Sequence, residues 1–132
     1  MEPEGELCIC GRRGCLETRL SYRALSGIMP FDPENFDEAW NAASRKTKKQ
    51  IDEAIDLFAR SIVNTGTILA PGRIVLFGRL AAIKTLRDKL IERCKAYDPS
   101  YDESRIVHTP LSGNESYAGP AAVYTRQKLF GI

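Results

Sequence analysis

Three of the chain's four cysteines fall within eight positions, Cys8, Cys10 and Cys15, in the run Cys-Ile-Cys-Gly-Arg-Arg-Gly-Cys-Leu-Glu. Thiolates crowded this closely usually share a metal ion. Gly11 and Gly14 between them allow the tight backbone reversals that would bring three sulfurs to one point. Soft thiolates in a tetrahedral array select zinc, so the spacing predicts a structural zinc knuckle over residues 1–16. A disulfide is the weaker reading, because three clustered thiols leave one unpaired and a Cys-x-Cys bridge is strained. Glu17 follows the last knuckle cysteine directly and is the carboxylate most closely tied to it.

This spacing is more specific than a generic zinc finger, whose first cysteines are more often roughly two to four residues apart. Cys-x-Cys-Gly-x-x-Gly-Cys-Leu-Glu resembles the signature of the ROK family (repressors, open reading frames and kinases). The resemblance continues more loosely through Ala70-Pro71-Gly72-Arg73-Ile74-Val75-Leu76-Phe77-Gly78 and Asn114-Glu115-Ser116-Tyr117-Ala118-Gly119-Pro120-Ala121-Ala122. It covers nearly the whole chain but only about the last third of a typical member. It implies the C-terminal part of an actin-like (RNase H-like) ATPase lobe, in which Glu17 points into a sugar pocket and accepts hydrogen bonds from sugar hydroxyls.

Two departures from the family pattern shape the functional expectation. The family's fourth zinc ligand is a histidine upstream of the first cysteine, in a Glu-x-Gly-His motif, whereas seven residues precede Cys8 here. The only histidine is His108, read as an ordinary surface or strand-end residue. Zinc is therefore expected to be partly occupied, with water, a buffer ion or a neighbouring molecule as fourth ligand. Family kinases also place three glycines after a strand where this chain has Phe77-Gly78-Arg79-Leu80. A bulky Phe and a cationic Arg restrict close approach of a nucleotide, leaving Gly78 and Arg79 as weak nucleotide-binding candidates.

Those departures favour the sugar-sensing and oligomerisation part of a transcriptional regulator, which would reach DNA only through a domain preceding residue 1 and take a sugar effector in the full-length protein. The alternative is the C-terminal lobe of a sugar kinase. Resemblance assigns the kinase phosphate loop and catalytic aspartate to a part absent from this chain, so no catalytic residue is expected within it. A third reading is an independent zinc-binding interaction domain.

The elements that must position these residues follow from periodicity. The segment from Glu17 to about Gly27 reads as one helix, ended by Gly27 and Pro30. Asn35-Phe36-Asp37-Glu38 looks like the start of a short helix carrying Trp40. Thr47-Lys48-Lys49-Gln50 repeats that logic, opening the clearest helix, with Ile51, Ile55, Phe58, Ile62 and Leu69 at helical spacing and a stop before Pro71. Arg73 to Phe77 reads as a buried parallel strand. A helix from about Ala81 to Tyr97 lines up Ile83, Leu86, Leu90, Cys94 and Tyr97, which places Cys94 on its core face, and a second strand is expected near Arg105 to His108. A polar loop over 111–117 would lead to a last helix from about Gly119 to Phe130. Alternating helices and strands imply an α/β fold with a small, mainly parallel sheet over residues 17–132.

The 19 basic and 17 acidic residues are interspersed, giving a net charge of +2 and no nucleic-acid footprint. The Arg45-Lys46-Thr47-Lys48-Lys49 cluster reads as a solvated helix face. No apolar run approaches ~18 residues, which argues against a membrane span, and reduced metal-binding thiols fit a cytoplasmic setting. The apolar stripe of Ile51, Ile55, Phe58 and Ile62, with Val75 and Phe77, predicts a homo-oligomer, most simply a two-fold dimer.

Overall fold

Ser44 sets the start of the longest element. Its backbone is extended and its hydroxyl accepts from the Thr47 backbone N–H at 3.1 Å, satisfying one of the donors that a helix N-terminus leaves unpaired. Helix α3 therefore spans Arg45–Leu69 and begins ahead of the expected Thr47. Two hydroxyls three residues apart compete for the cap, and the upstream one wins. Ala70 adopts the left-handed conformation at the far end, ahead of Pro71, which cannot extend the helix. The computed structural model describes residues 3–109 and Lys128; the loop over 111–117 and the last expected helix lie outside the described residues, apart from Lys128, which is helical.

The apolar spacing of α3 aims Ile51, Ala54, Ile55, Ala59 and Ile62 into the core. They pack on α5 (Lys84–Tyr97), which contributes Leu86, Leu90, Ile91 and Cys94. Cys94 is fully buried, as its place on the helix face predicts. Leu69 lies beyond this contact and is exposed. The stripe expected to drive oligomerisation is thus mostly consumed internally: Ile51, Ile55 and Ile62 are buried and Phe58 packs against the core.

Gly66 is where α3 passes Tyr101. A Cβ there would lie 1.7 Å from the Tyr101 hydroxyl oxygen. Tyr101 is 1% exposed and its ring lies under the Arg105 guanidinium, so it has little room to swing aside. Alanine in a helix interior ordinarily stabilises by about 0.5–1 kcal/mol over glycine, while overpacking a core costs about 1–3 kcal/mol. The clash wins at this distance. Gly66→Ala is expected to lower stability by about 1–2 kcal/mol in urea unfolding, against the helix-propensity trend.

A second tie between α3 and α5 is polar. The Tyr97 hydroxyl donates to Asp56 at 2.7 Å, and Arg60 donates to the other carboxylate oxygen at 2.7 Å. Tyr97, then Arg60, hold the Asp56 carboxyl below its ordinary value. A depressed carboxylate pKa stabilises fully above the unfolded value of about 3.9 and loses that effect as pH falls from there through the lowered folded value. Tyr97→Phe is therefore expected to cost about 1 kcal/mol at neutral pH and clearly less at an acid pH below the ordinary carboxylate value of about 3.9. Thermal melts at the two pH values test this; an equal cost at both would contradict it.

The two strands pair in parallel, β1 (Ile74–Leu76) with β2 (Ile106–His108), Ile74 opposite Ile106 and Leu76 opposite His108. The crossover contains α4 (Arg79–Ala82) and α5. The expected single helix is broken at Ile83, whose extended backbone drives its side chain into the core. Arg87 bridges the break by donating to the carbonyls of Ala81 and Ala82 at 2.6 and 2.9 Å. The strand reading needs correction too. Ile74 and Leu76 pack on the core, but Val75 is 55% and Phe77 64% exposed, so among the described residues β1 is covered on one face only.

The segment after the knuckle is also split. A 3-10 turn spans Leu16–Thr18, and α1 starts afresh at Tyr22–Ile28, because Ser21 turns extended and caps the Ala24 N–H. Helix α2 (Phe36–Ala42) begins after Asn35, whose side chain accepts from the Asp32 N–H at 2.7 Å instead of capping the helix. Rings of Tyr22, Phe31, Phe36 and Trp40 contact in series, and Lys48 and Lys89 lie over the Trp40 face. This aromatic row fastens α1 and α2 to α3 and α5. Among the described residues no helix is long and apolar enough to cross a membrane.

Candidate functional site

The knuckle is folded by its own backbone. Cys8 N–H donates to the Arg12 carbonyl, Gly11 to Cys8 and Gly14 to Glu6, and Leu7 bridges Arg13 in antiparallel fashion. These reversals put Gly11 at φ 81° and Gly14 at φ 63°, the left-handed region that glycine enters without strain. All three cysteine sulfurs then lie within 4.8 Å of one another, with Cys10 Sγ 3.6 Å from Cys15 Sγ. Zinc–sulfur bonds of about 2.3 Å at tetrahedral angles require sulfurs about 3.8 Å apart. Three close cysteines can therefore hold a metal ion here. Among the described residues, no His, Asp or Glu ligand atom joins the three sulfurs.

The sulfurs already share charge unevenly. The Arg12 backbone hydrogen bond, followed by those from Cys15 and Cys8, holds the Cys10 thiol below its ordinary value. The Cys15 thiol is pushed up to about 11, first by its hydrogen bond with Cys10 and then by desolvation. Cys10 is thus the more acidic and Cys15 the less acidic of the two neighbouring thiols, and a bound cation displaces the protons of the sulfurs that ligate it. His108 takes no part. It ends β2 opposite Leu76, its Nε2 buried without a hydrogen-bond partner among the described residues, and burial, with Arg87 nearby, holds its pKa below the usual value.

The last cysteine hands the knuckle's position to Glu17. The Cys15 carbonyl accepts from both the Thr18 N–H at 3.0 Å and the Thr18 hydroxyl at 2.7 Å, closing the 3-10 turn that carries Glu17. Glu17 is exposed and lines a groove of about 470 Å³ with Cys8, Thr18, Ser21 and Arg23. A second cavity, of about 410 Å³, opens off the C-terminal end of β1 and contains Leu20, Tyr22, Phe58, Phe77, Gly78 and Arg79. Gly78 has φ 96°, and the Arg79 guanidinium lies 5.2 Å from the centre of the Tyr22 ring. Crevices off the C-terminal ends of parallel strands are common ligand sites in α/β folds.

The structure thus brings Glu17 and Cys8 to one groove and Gly78 with Arg79 to another. Residues 20–23 run between them, with Leu20 and Tyr22 facing the second cavity and Ser21 and Arg23 the first. Thr18, Ser21, Arg23 and Tyr22 were not singled out from sequence. The one local signal was Ser21, a hydroxyl capable of capping a helix within a segment read as continuous.

Comparison with known proteins gives one coherent result. The ROK family model matches residues 1–127. The N-acetyl-D-glucosamine kinase of Escherichia fergusonii is 26% identical over 92 residues, 65% of this chain and 30% of that protein. The kinase of the same name from Citrobacter koseri is 25% identical over the same length and coverage. Among solved structures, a ROK hexokinase from Thermus thermophilus aligns with a TM-score of 0.65 and 24% identity, covering 88% of this chain and 43% of that one. The chain spans under a third of the length of the curated relatives it matches.

Proposed function

The chain belongs to the ROK family and has the actin-like ATPase fold, and from that premise we propose that it forms the sugar-contact part of an ATP-dependent sugar kinase. The observation that carries this reading is the placement of Glu17, anchored through Cys15 to a metal-capable knuckle and set in a groove beside the cavity at the end of β1. The kinase names of the relatives support it over the regulator expected from Phe77-Gly78-Arg79-Leu80.

In this account the Glu17 carboxylate accepts hydrogen bonds from the hydroxyls of a hexose or an N-acetylated hexosamine. A carboxylate offers two oxygens to neighbouring hydroxyls, and charge-assisted bonds of this kind are the strong ones. Cys8, Cys10 and Cys15 would hold zinc, which braces the turn and supplies no reactive group. The cavity at β1 receives the nucleotide, with Gly78 allowing backbone approach and Arg79, steadied over Tyr22, offering a cation to phosphate. The aspartate base and phosphate loop would come from the larger remainder of the fold.

The test uses the polypeptide that carries this chain, incubated with ATP and either glucose or N-acetyl-D-glucosamine while ADP is measured. Sugar-dependent ADP formation supports the kinase. Absence of ADP, with sugar releasing the polypeptide from DNA, would establish the regulator instead, and neither response would leave the independent zinc-binding domain.

A further inference from the structure

The four cysteines differ sharply in what can reach them. Cys10 is exposed and Cys15 half-buried, whereas Cys8 is 7% exposed and Cys94 fully enclosed. The two accessible sulfurs are also neighbours, 3.6 Å apart. Cys8 and Cys10 are separated by one residue and would close only with strain, while Cys10 and Cys15 flank the two left-handed glycines. Bringing the pair to about 2.05 Å requires a short local movement of a backbone already held by glycine turns.

We propose that Cys10 and Cys15 are an oxidation site: peroxide converts the pair to a disulfide, and a metal held by the knuckle is released. In the first step the Cys10 sulfur, as its thiolate, attacks a peroxide oxygen, forming a sulfenic acid as the O–O bond breaks and the second oxygen leaves as hydroxide, which takes the proton that Cys10 gave up on ionising and becomes water. The Cys15 sulfur then attacks the Cys10 sulfur, forming the S–S bond and expelling hydroxide, which takes up a proton. Peroxide is reduced by two electrons and the two thiols are oxidised by two. Cys8 alone cannot retain zinc, because two of the three thiolate ligands have been removed. The pairing stands on the sulfur geometry, and the metal release rests on the zinc-knuckle reading, so the two are measured separately.

Reduced chain is loaded with zinc and treated with hydrogen peroxide. Free thiols are counted colorimetrically, released zinc is read with a chromophoric chelator, and cross-links are mapped by tandem mass spectrometry after alkylation. Trypsin cleaves at Arg12 and Arg13, between the two cysteines. Thiols are expected to fall from four to two per chain, with Cys8 and Cys94 alkylated, Cys10 joined to Cys15, zinc released in step and dithiothreitol restoring all four thiols. Cys10→Ser should keep its three thiols under the same treatment. Retention of four thiols, a cross-link to Cys8 or between chains, or over-oxidised Cys10 without a cross-link would overturn the pairing. A mapped Cys10–Cys15 disulfide with zinc still bound would overturn the metal release.

Discussion

On the zinc-knuckle reading, replacing Cys15 with serine is expected to reduce bound zinc from the partial occupancy of the unaltered chain to near none. Structural zinc sites held by thiolates bind with an apparent free energy of about 10–16 kcal/mol near neutral pH, and that energy depends on every sulfur. Serine offers a hydroxyl that does not ionise at this pH, and the two sulfurs left are one residue apart. The same substitution leaves the Cys15 carbonyl in place, so the turn at Leu16–Thr18 would lose the brace of a bound ion but keep its local hydrogen bonds. The main core contains no residue before Leu20, which makes loss of metal separable from global unfolding. Elemental analysis should show the zinc lost while far-UV circular dichroism keeps the helical signal of α3 and α5. Full zinc retention in Cys15→Ser would refute the three-sulfur site.

Phe36→Ala is expected to cost about 3–5 kcal/mol, the usual range for truncating a buried aromatic. Phe36 is 1% exposed and joins two ring contacts, edge-on to Phe31 at 5.1 Å and stacked on Trp40 at 6.1 Å. It is the one buried residue of α2, so no other side chain of that helix can take over its anchoring. Against a typical total of about 5–15 kcal/mol, the loss is a large share of the stability. Urea unfolding read by the single tryptophan, Trp40, measures it at the affected row. A cost below about 1.5 kcal/mol would mean that α2 is not part of the cooperative core. Zinc content should be unchanged, since the knuckle closes through its own backbone.

Helical periodicity made α3 and α5 legible, because Ile51, Ile55 and Ile62, and Ile83, Leu86, Leu90 and Cys94, all reach the core, whereas Leu69 and Tyr97 at the ends of the two stripes are exposed. Their ends were less so. Ser44 and Thr47 carry equivalent capping chemistry, and only the folded chain shows which one is used. The break at Ile83 and the restart at Ser21 come from tertiary packing and local capping that override continuous helical patterning. Val75 misled for a different reason: an apolar run suggests a strand covered on both faces, and among the described residues β1 is covered on one.

The cysteine knuckle could be read in advance since its chemistry and its glycines lie within eight residues. The joining of Tyr22 to Arg79, and of Asp56 to Tyr97, could not, because those pairs meet only after α1, α3 and α5 have packed. Family resemblance pointed to Glu17, and the fold adds Thr18, Ser21 and Arg23 around it.

The central claim is that Glu17, held by the knuckle, grips the sugar. Its most direct test is the steady-state kinetics of Glu17→Gln in the polypeptide that carries this chain, with sugar and ATP varied independently. Loss of charge-assisted hydrogen bonds of about 1.5–3 kcal/mol predicts a KM for sugar raised by about 10- to 150-fold. The KM for ATP should stay unchanged, because the β1 cavity lies on the other side of residues 20–23. An unaltered sugar KM, or a rise confined to ATP, would contradict the assignment of Glu17 to the sugar.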